Sequence, residues 1–385
     1  MIPYGRQQIS EDDIAAVVAV LRSDFLTQGP AAPQFERAVA AQSGAKHAIA
    51  VNSATSALHI ACLALGLGRG DLLWTVPNTF VASANCGRYC GADVDFVDID
   101  AATWDMSVDA LRAKLVAAKR NDRLPKVVVP VHFGGQPTEQ EAIRALSHEY
   151  GFKIIEDASH AIGATHNGER VGSCRWSDIT VFSFHPVKII TTAEGGLALT
   201  NDDVLATRMD MLRTHGVTRD EKLLQQPVQG PWYYEQIDLG YNYRLNDLQA
   251  TLGLSQLHRL EEFVERRNVL AANYGRLLAE LPVRCPHIRS GNRSAFHLYA
   301  IRLRTDSIRK THREVFEALR NSGIGANLHY MPVHLQPYYR ALGFTPGSFP
   351  EAEQYAREAI SLPLYAGLTE DQQMQVVQAL SATLA

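Results

Sequence analysis

The sequence predicts an α/β fold: a mostly parallel sheet covered by helices on both faces, followed by a smaller α+β region. Three observations lead there. Short apolar runs alternate with helical segments between residues 46 and 212, the pattern of successive βαβ units. The runs are nearly continuous in apolar residues, as in KVVVPVH (Lys126–His132), which suits strands buried on both faces. Polar and reactive residues cluster just after those runs, at Asn52–Ser56, Phe80, Phe133–Gln136, Asp157–His160 and Ser183–Lys188. Parallel sheets bind ligands at that end of their strands.

Each element follows from local chemistry. Residues 1–9 read as an extended arm, and Ser10 with Asp13 forms a capping box for a helix to about Leu21. Asp24–Pro33 is a Gly- and Pro-rich loop, and Gln34–Gln42 a short helix. Lys46–Val51 is a strand, and Asn52–Ser56 opens a helix to about Leu65. A strand, a small polar turn and a helix N-terminus together present free N–H groups to an anion, although simple N-capping by Asn52 or Ser53 gives the same pattern. GLGRGD (Gly66–Asp71) follows a helix instead of a strand, so it reads as a helix end and turn. Strands follow at Leu73–Pro77, Val94–Asp98, Lys126–His132, Lys153–Glu156, Ser177–Ser183 and Gly196–Thr200. Helices intervene at Val81–Tyr89, Val108–Ala118 and Thr138–Tyr150, the last with Thr138 and Glu141 as a capping box. Beyond the helix Asp203–Leu212 come a polar loop, Thr218–Ile237, and a long helical segment from Asn246 to about Leu281 with a break expected near residue 267. Ala295–Arg302 reads as a strand, Asn327–Pro332 as extended, and Arg313–Ser322, Glu351–Ile360 and Thr369–Leu384 as helices.

Length and composition narrow the function. At 385 residues the chain exceeds one ordinary core. We expect an arm at 1–12, a large domain at 13–250 and a small C-terminal domain at 251–385. The net charge of −4 argues against a nucleic-acid binder. The five cysteines are odd in number and sit mostly among small or apolar neighbours, so they read as reduced thiols. MIPYGRQQISEDD lacks an apolar signal core and no stretch is apolar enough to span a membrane, so a cytoplasmic protein without membrane contact is expected. The histidines are scattered without metal-site spacing, so no metal is expected.

The chemistry centres on FSFHPVKIITTAEGG (Phe182–Gly196), where Lys188 stands alone between Val187 and Ile189. Burial disfavours an ammonium, and a lysine held partly neutral is what Schiff-base chemistry needs. A lysine in a surface turn is the plain alternative. Asp157 offers a carboxylate at a strand end, Phe80 a ring face, and Thr55, Ser56 and Ser183 hydroxyls for a phosphate. Pyridoxal phosphate (PLP) calls for each of these parts.

NSATSALH (Asn52–His59), PNTF (Pro77–Phe80), EDASHAIGA (Glu156–Ala164), FSFHPVK…TAEGG and GYNYR (Gly240–Arg244) together resemble the DegT-type, PLP-dependent nucleotide-sugar aminotransferases, over essentially the whole chain. The resemblance implies a fold-type-I aminotransferase with a seven-stranded type of sheet, and a homodimer with shared active sites. It makes Lys188 the lysine bonded to the cofactor and Asp157 the partner of the pyridine nitrogen. His160 would lie near the ring hydroxyl and Phe80 would stack on the ring. Thr55, Ser56 and Ser183 would hold the phosphate, with Asn242 reaching it from the partner chain; the other reading of Asn242 is a cap for the helix that starts near Asn246. Within the family the likeness is greatest to the aminotransferases of the pseudaminic-acid pathway, which aminate C4 of a UDP-linked 4-keto-6-deoxy-2-acetamido sugar. That likeness carries Tyr4, Leu26, Thr27, Gln28, Gly29, Ser56, His329, Tyr330, Met331 and Pro332 over as substrate residues, with glutamate as amino donor. Arg244 or Arg6 is a candidate for the donor carboxylate, with an ordinary surface arginine the plain alternative for each. The polar insert around Asp220–Trp232 and Ile189 beside the lysine depart from that pattern. They leave open another UDP-, dTDP- or GDP-linked keto sugar. A PLP-binding regulator without turnover is the reading from a different class.

Overall fold

A computed structural model describes residues 1–384. Its centre is a seven-stranded sheet. The strands are β1 (His47–Val51), β2 (Leu72–Thr75), β3 (Asp93–Phe96), β4 (Val127–Val129), β5 (Lys153–Asp157), β6 (Ile179–Ser183) and β7 (Gly196–Thr200). Their spatial order is β1-β7-β6-β5-β4-β2-β3. Only β7 runs antiparallel to its neighbours, β1 and β6. The predicted α/β class is therefore the observed one. Strands β4, β6 and β7 are buried along their whole length, which is why they read as mostly apolar runs.

Two cores cover the sheet. One collects Leu58, Trp74, Phe96, Val128, Ile154 and their neighbours, and the other Phe35, Phe182, Phe184, Leu199 and Phe263. The helices that bear on the site are α1 (Glu11–Leu21), α2 (Ala31–Ser43), α3 (Ala54–Ala64) and α4 (Ala82–Tyr89). The capping box of Ser10 and Asp13 forms as predicted. A third core, around Leu270, Tyr274, Leu319 and Leu380, lies under the antiparallel strands Val283–Arg284, Tyr299–Leu303 and Ala359–Leu362. The arm is tied to this C-terminal region, because Ile2–Pro3 pairs in parallel with Ile324–Gly325.

Three local expectations are corrected. The long helical segment breaks at His258–Arg259, between helices Asp247–Leu257 and Leu260–Leu277, instead of near residue 267. Arg267 lies inside the second helix, 2% exposed, donating to the carbonyls of Phe296, His297 and Leu364 at 3.1, 3.4 and 3.0 Å. The capping box of Thr138 and Glu141 does not form. The helix starts at Gln140, and the Thr138 N–H is taken by His132 Nδ1 at 3.0 Å. The Gly- and Pro-rich loop is shorter than expected, since α2 begins at Ala31 and holds Pro33 in its first turn, where a missing N–H costs nothing.

Candidate active site

The carboxyl ends of β5 and β6, the N-terminus of α3 and two C-terminal segments enclose a cavity of about 550 Å³. It gathers Tyr4, Thr55, Phe80, Asp157, His160, Ser183, Lys188, His329 and Tyr330 from across the chain.

Lys188 lies in the turn after β6, where its N–H donates to His185 O at 2.9 Å. Its side-chain amine is buried, and that burial pulls its pKa down to about 8 against the opposing attraction of Asp157. The nearest polar partner of Nζ is His297 Nε2 at 3.5 Å. A buried amine with a single loose partner is chemically available.

Asp157 ends β5 and is 5% exposed. Its carboxylate is oriented on two sides. Ser83 Oγ donates to Oδ2 at 2.6 Å and the Ser159 N–H donates to Oδ1 at 3.1 Å.

The N-terminus of α3 forms the third wall. Ser53 is its N-cap and accepts the Ser56 N–H at 3.1 Å. Among the described residues, the N–H groups of Ala54 and Thr55 and the hydroxyls of Thr55 and Ser183 have no protein partner. Gly196 makes this cradle possible, because a Cβ there would sit 2.4 Å from Ala54 N. Ser56 Oγ donates to Asn52 Oδ1 at 2.7 Å inside the turn, and Ser56 is not among the residues that line the cavity.

Histidines surround the amine. His160 and His297 pack with ring centroids 4.4 Å apart and their planes tilted by 47°, and burial together with Lys188 keeps both well below the ordinary histidine range. His329 bonds Ser361 Oγ through Nδ1 at 2.8 Å, and burial followed by Lys188 lowers it to about 4. Tyr4 packs on His329 at 5.0 Å between centroids. Phe80 lines the cavity and is still 59% exposed.

Other sequence candidates lie outside this cavity. Leu26, Thr27 and Gln28 are exposed, and the Gly29 N–H donates to Asp247 Oδ2 at 2.7 Å. Met331 is exposed and Pro332 is buried. Neither Arg6 nor Arg244 lines the cavity. Asn242 is exposed, and its backbone bridges Thr214. It does not cap the next helix; Asn246 does, accepting the Gln249 N–H at 2.9 Å.

Ser83, Ser159 and His297 were not singled out from the sequence. His297 belongs to SAFHLY at a strand entry, 109 residues from Lys188, and no periodicity or spacing marks it.

A buried amine with a lowered pKa, an oriented carboxylate and a cradle of unpaired N–H and hydroxyl donors fit pyridoxal phosphate. Lys188 would bond its carbonyl carbon, Asp157 would face the ring nitrogen, and Ala54, Thr55 and Ser183 would hold the phosphate.

Comparison with known proteins agrees. Residues 7–381 match the DegT/DnrJ/EryC1/StrS aminotransferase family. The chain belongs to that family. The family's enzymes are PLP-dependent, and this chain is a sugar aminotransferase of the same kind. It is 37% identical over 381 residues to the spore coat polysaccharide biosynthesis protein SpsC of Bacillus subtilis, covering 98% of this chain and 96% of the relative. Its fold matches PseC of Helicobacter pylori, an aminotransferase involved in pseudaminic acid biosynthesis, with a TM-score of 0.90 and 30% identity over 100% and 99% of the two chains. Spr1654 of Streptococcus pneumoniae in its PLP form gives a TM-score of 0.87 and 28% identity over 99% and 98%. No helix among the described residues is long and apolar enough to cross a membrane.

Proposed function

We propose that this DegT-family aminotransferase moves an amino group from glutamate to C4 of a UDP-linked 4-keto-6-deoxy-2-acetamido sugar, the kind of step that leads to pseudaminic acid. The observation that carries the reading is the cavity itself. Tyr4, His329 and Tyr330 line the same cavity as Lys188, and all three were carried over from the pseudaminic-acid likeness. The PseC fold match supports it.

The residues divide the work. Lys188 holds the cofactor and, once free, moves a proton at its Nζ to and from the donor's α-carbon; an amine near pKa 8 suits that exchange at neutral pH. Asp157 would keep a proton on the ring nitrogen. Thr55 and Ser183 would anchor the phosphate, Phe80 would cover the ring and His160 would lie near the ring oxygen. When bound, pyridoxal phosphate supplies the carbon that carries the amino group and a ring that withdraws electrons. The arm and domain division at residues 12 and 250 belongs to the same reading, with the site between the two domains.

The enzyme acts as a cytoplasmic homodimer with two composite sites. Phe80 is half-open to solvent although it lines the cavity, and exposed Leu26 and Met331 offer further apolar surface for a second chain. Asn242 and the Leu26–Gly29 loop would complete the partner's site. A second reading, favoured by the 37% identity with SpsC, is amination of a different keto sugar for a surface polysaccharide.

Turnover with L-glutamate against a panel of UDP-, dTDP- and GDP-linked 4-keto sugars tests the proposal. The UDP-linked 2-acetamido sugar should give the highest kcat/KM. Preference for a dTDP-linked sugar without the acetamido group would overturn it.

A further inference from the structure

The two ring nitrogens of His160 have partners of opposite kind. The Gly134 N–H donates to Nδ1 at 3.3 Å. A backbone amide can only donate, so Nδ1 carries no proton. Burial, then the charge of Lys188 and then His329, keeps this ring neutral. A neutral imidazole that is bare at Nδ1 carries its proton on Nε2. Tyr330 Oη lies 3.2 Å from Nε2 and therefore accepts there.

The arrangement is held rigidly. Gly134 has φ +63°, and the turn is pressed so close that a Cβ at Gly135 would meet Phe296 N at 2.7 Å and His160 O at 2.9 Å. The Tyr330 N–H donates to Asn78 Oδ1 at 3.2 Å. Its ring packs beside Phe133 and Phe80, with centroids 6.4 and 6.3 Å away. Burial raises the pKa of the phenol, so it keeps its own proton. Among the described residues no protein acceptor takes that proton, and Tyr330 lines the cavity.

We propose that Tyr330 is a one-way hydrogen-bond donor into the cavity, with His160 as the positioning residue that sets its direction, so that the ligand atom it meets is an oxygen with a free lone pair. Two ligands offer such an oxygen: the ring oxygen of pyridoxal phosphate, and a carbonyl or hydroxyl oxygen of the sugar. The inference rests on reading this cavity as the active site, though not on which sugar is used.

Nitrogen-15 NMR of the histidine-labelled full chain reads the tautomer, with the His160 signals identified by their loss in His160→Gln. At pH 7 Nδ1 should show the shift of a bare ring nitrogen and Nε2 that of a protonated one. The opposite tautomer, or a doubly protonated ring, overturns the proposal whatever the substrate. Tyr330→Phe keeps the ring and removes the donor. The expected loss is roughly tenfold. It appears in the Kd for pyridoxal phosphate if the oxygen is the cofactor's, and in the KM of the best keto sugar of the panel if it is the sugar's. No change in either overturns the proposal. His160→Leu, which neither accepts from Gly134 nor donates to Tyr330, should show the same loss. His160→Gln, which can do both, should recover most of it. Equal losses in the Leu and Gln variants overturn the positioning role of His160.

Discussion

Gly196→Ala should disable the phosphate cradle without touching a reactive group. A Cβ at Gly196 lies 2.4 Å from Ala54 N and Ser53 C and 2.5 Å from Ser53 O. That is about 1 Å inside ordinary carbon contact. Strand β7 cannot retreat, because Gly196 is paired with Val51 on one side and Ser183 on the other. The turn before α3 must give instead, and it carries the unpaired N–H groups of Ala54 and Thr55. A shift of about 1 Å takes an N–H···O bond out of useful range. Each charge-assisted bond lost costs about 1.5–3 kcal/mol. Losing two raises the Kd for pyridoxal phosphate by about a hundredfold or more. Overpacking should also lower stability by about 1–3 kcal/mol. Gly275→Ala is the control. That glycine lies in the helix Leu260–Leu277 with nothing within 4 Å of its would-be Cβ. There alanine should add about 0.5–1 kcal/mol of stability through helix propensity and leave cofactor affinity alone. Denaturant titration and cofactor titration of the full chain read both effects. Wild-type cofactor affinity in folded Gly196→Ala would refute the cradle.

Burial pulls the Lys188 amine down to about 8, against ~10.4 in an unfolded chain. Between those values the unfolded chain binds more protons than the folded one, so stability rises with pH across that window; below about pH 8 the full cost of burying the charge is present, on the order of 3 kcal/mol. In cofactor-free protein the stability advantage of Lys188→Met over wild type should shrink by about that amount between pH 8 and 10.5, and a pH-independent difference would remove the lowered amine. Asp157→Asn should retain cofactor but lose at least about a hundredfold in kcat, since the charge facing the ring nitrogen is gone; near-normal kcat would remove Asp157 from the mechanism. Mixing Lys188→Ala with Asn242→Ala chains should restore activity in heterodimers that contain one intact composite site, whereas proven subunit exchange with no gain above the parents would take Asn242 out of the site.

The fold was legible where a single physical rule governs a stretch. Strands buried on both faces are mostly apolar, so β4 and β6 could be read directly. Ser10 and Asp13 satisfy each other locally, so their helix start needed no tertiary information. The same motif failed at Thr138, where a tertiary partner, His132, takes the N–H. Lys188 was visible as a lone cation in an apolar tract. His297 was not, because it reaches the amine only through a strand entry whose carbonyls are held by buried Arg267. The Asn52–Ser56 turn reads as a set of free N–H groups and hydroxyls with Ser53 as a possible N-cap; in the fold Ser53 caps the helix, Ser56 bonds Asn52, and Thr55 lines the cavity. Which members of a polar cluster serve the turn and which serve the ligand is decided by side-chain direction, and residue type alone does not report it.

The central claim is that the buried amine in the cavity is the one that holds the cofactor. Borohydride makes the bond between pyridoxal phosphate and its lysine permanent, and peptide mapping then locates it. A pyridoxyl group is expected on Lys188 in the peptide spanning Phe182–Gly196, and none in Lys188→Ala. A pyridoxyl group on any other lysine of the wild-type protein would contradict it.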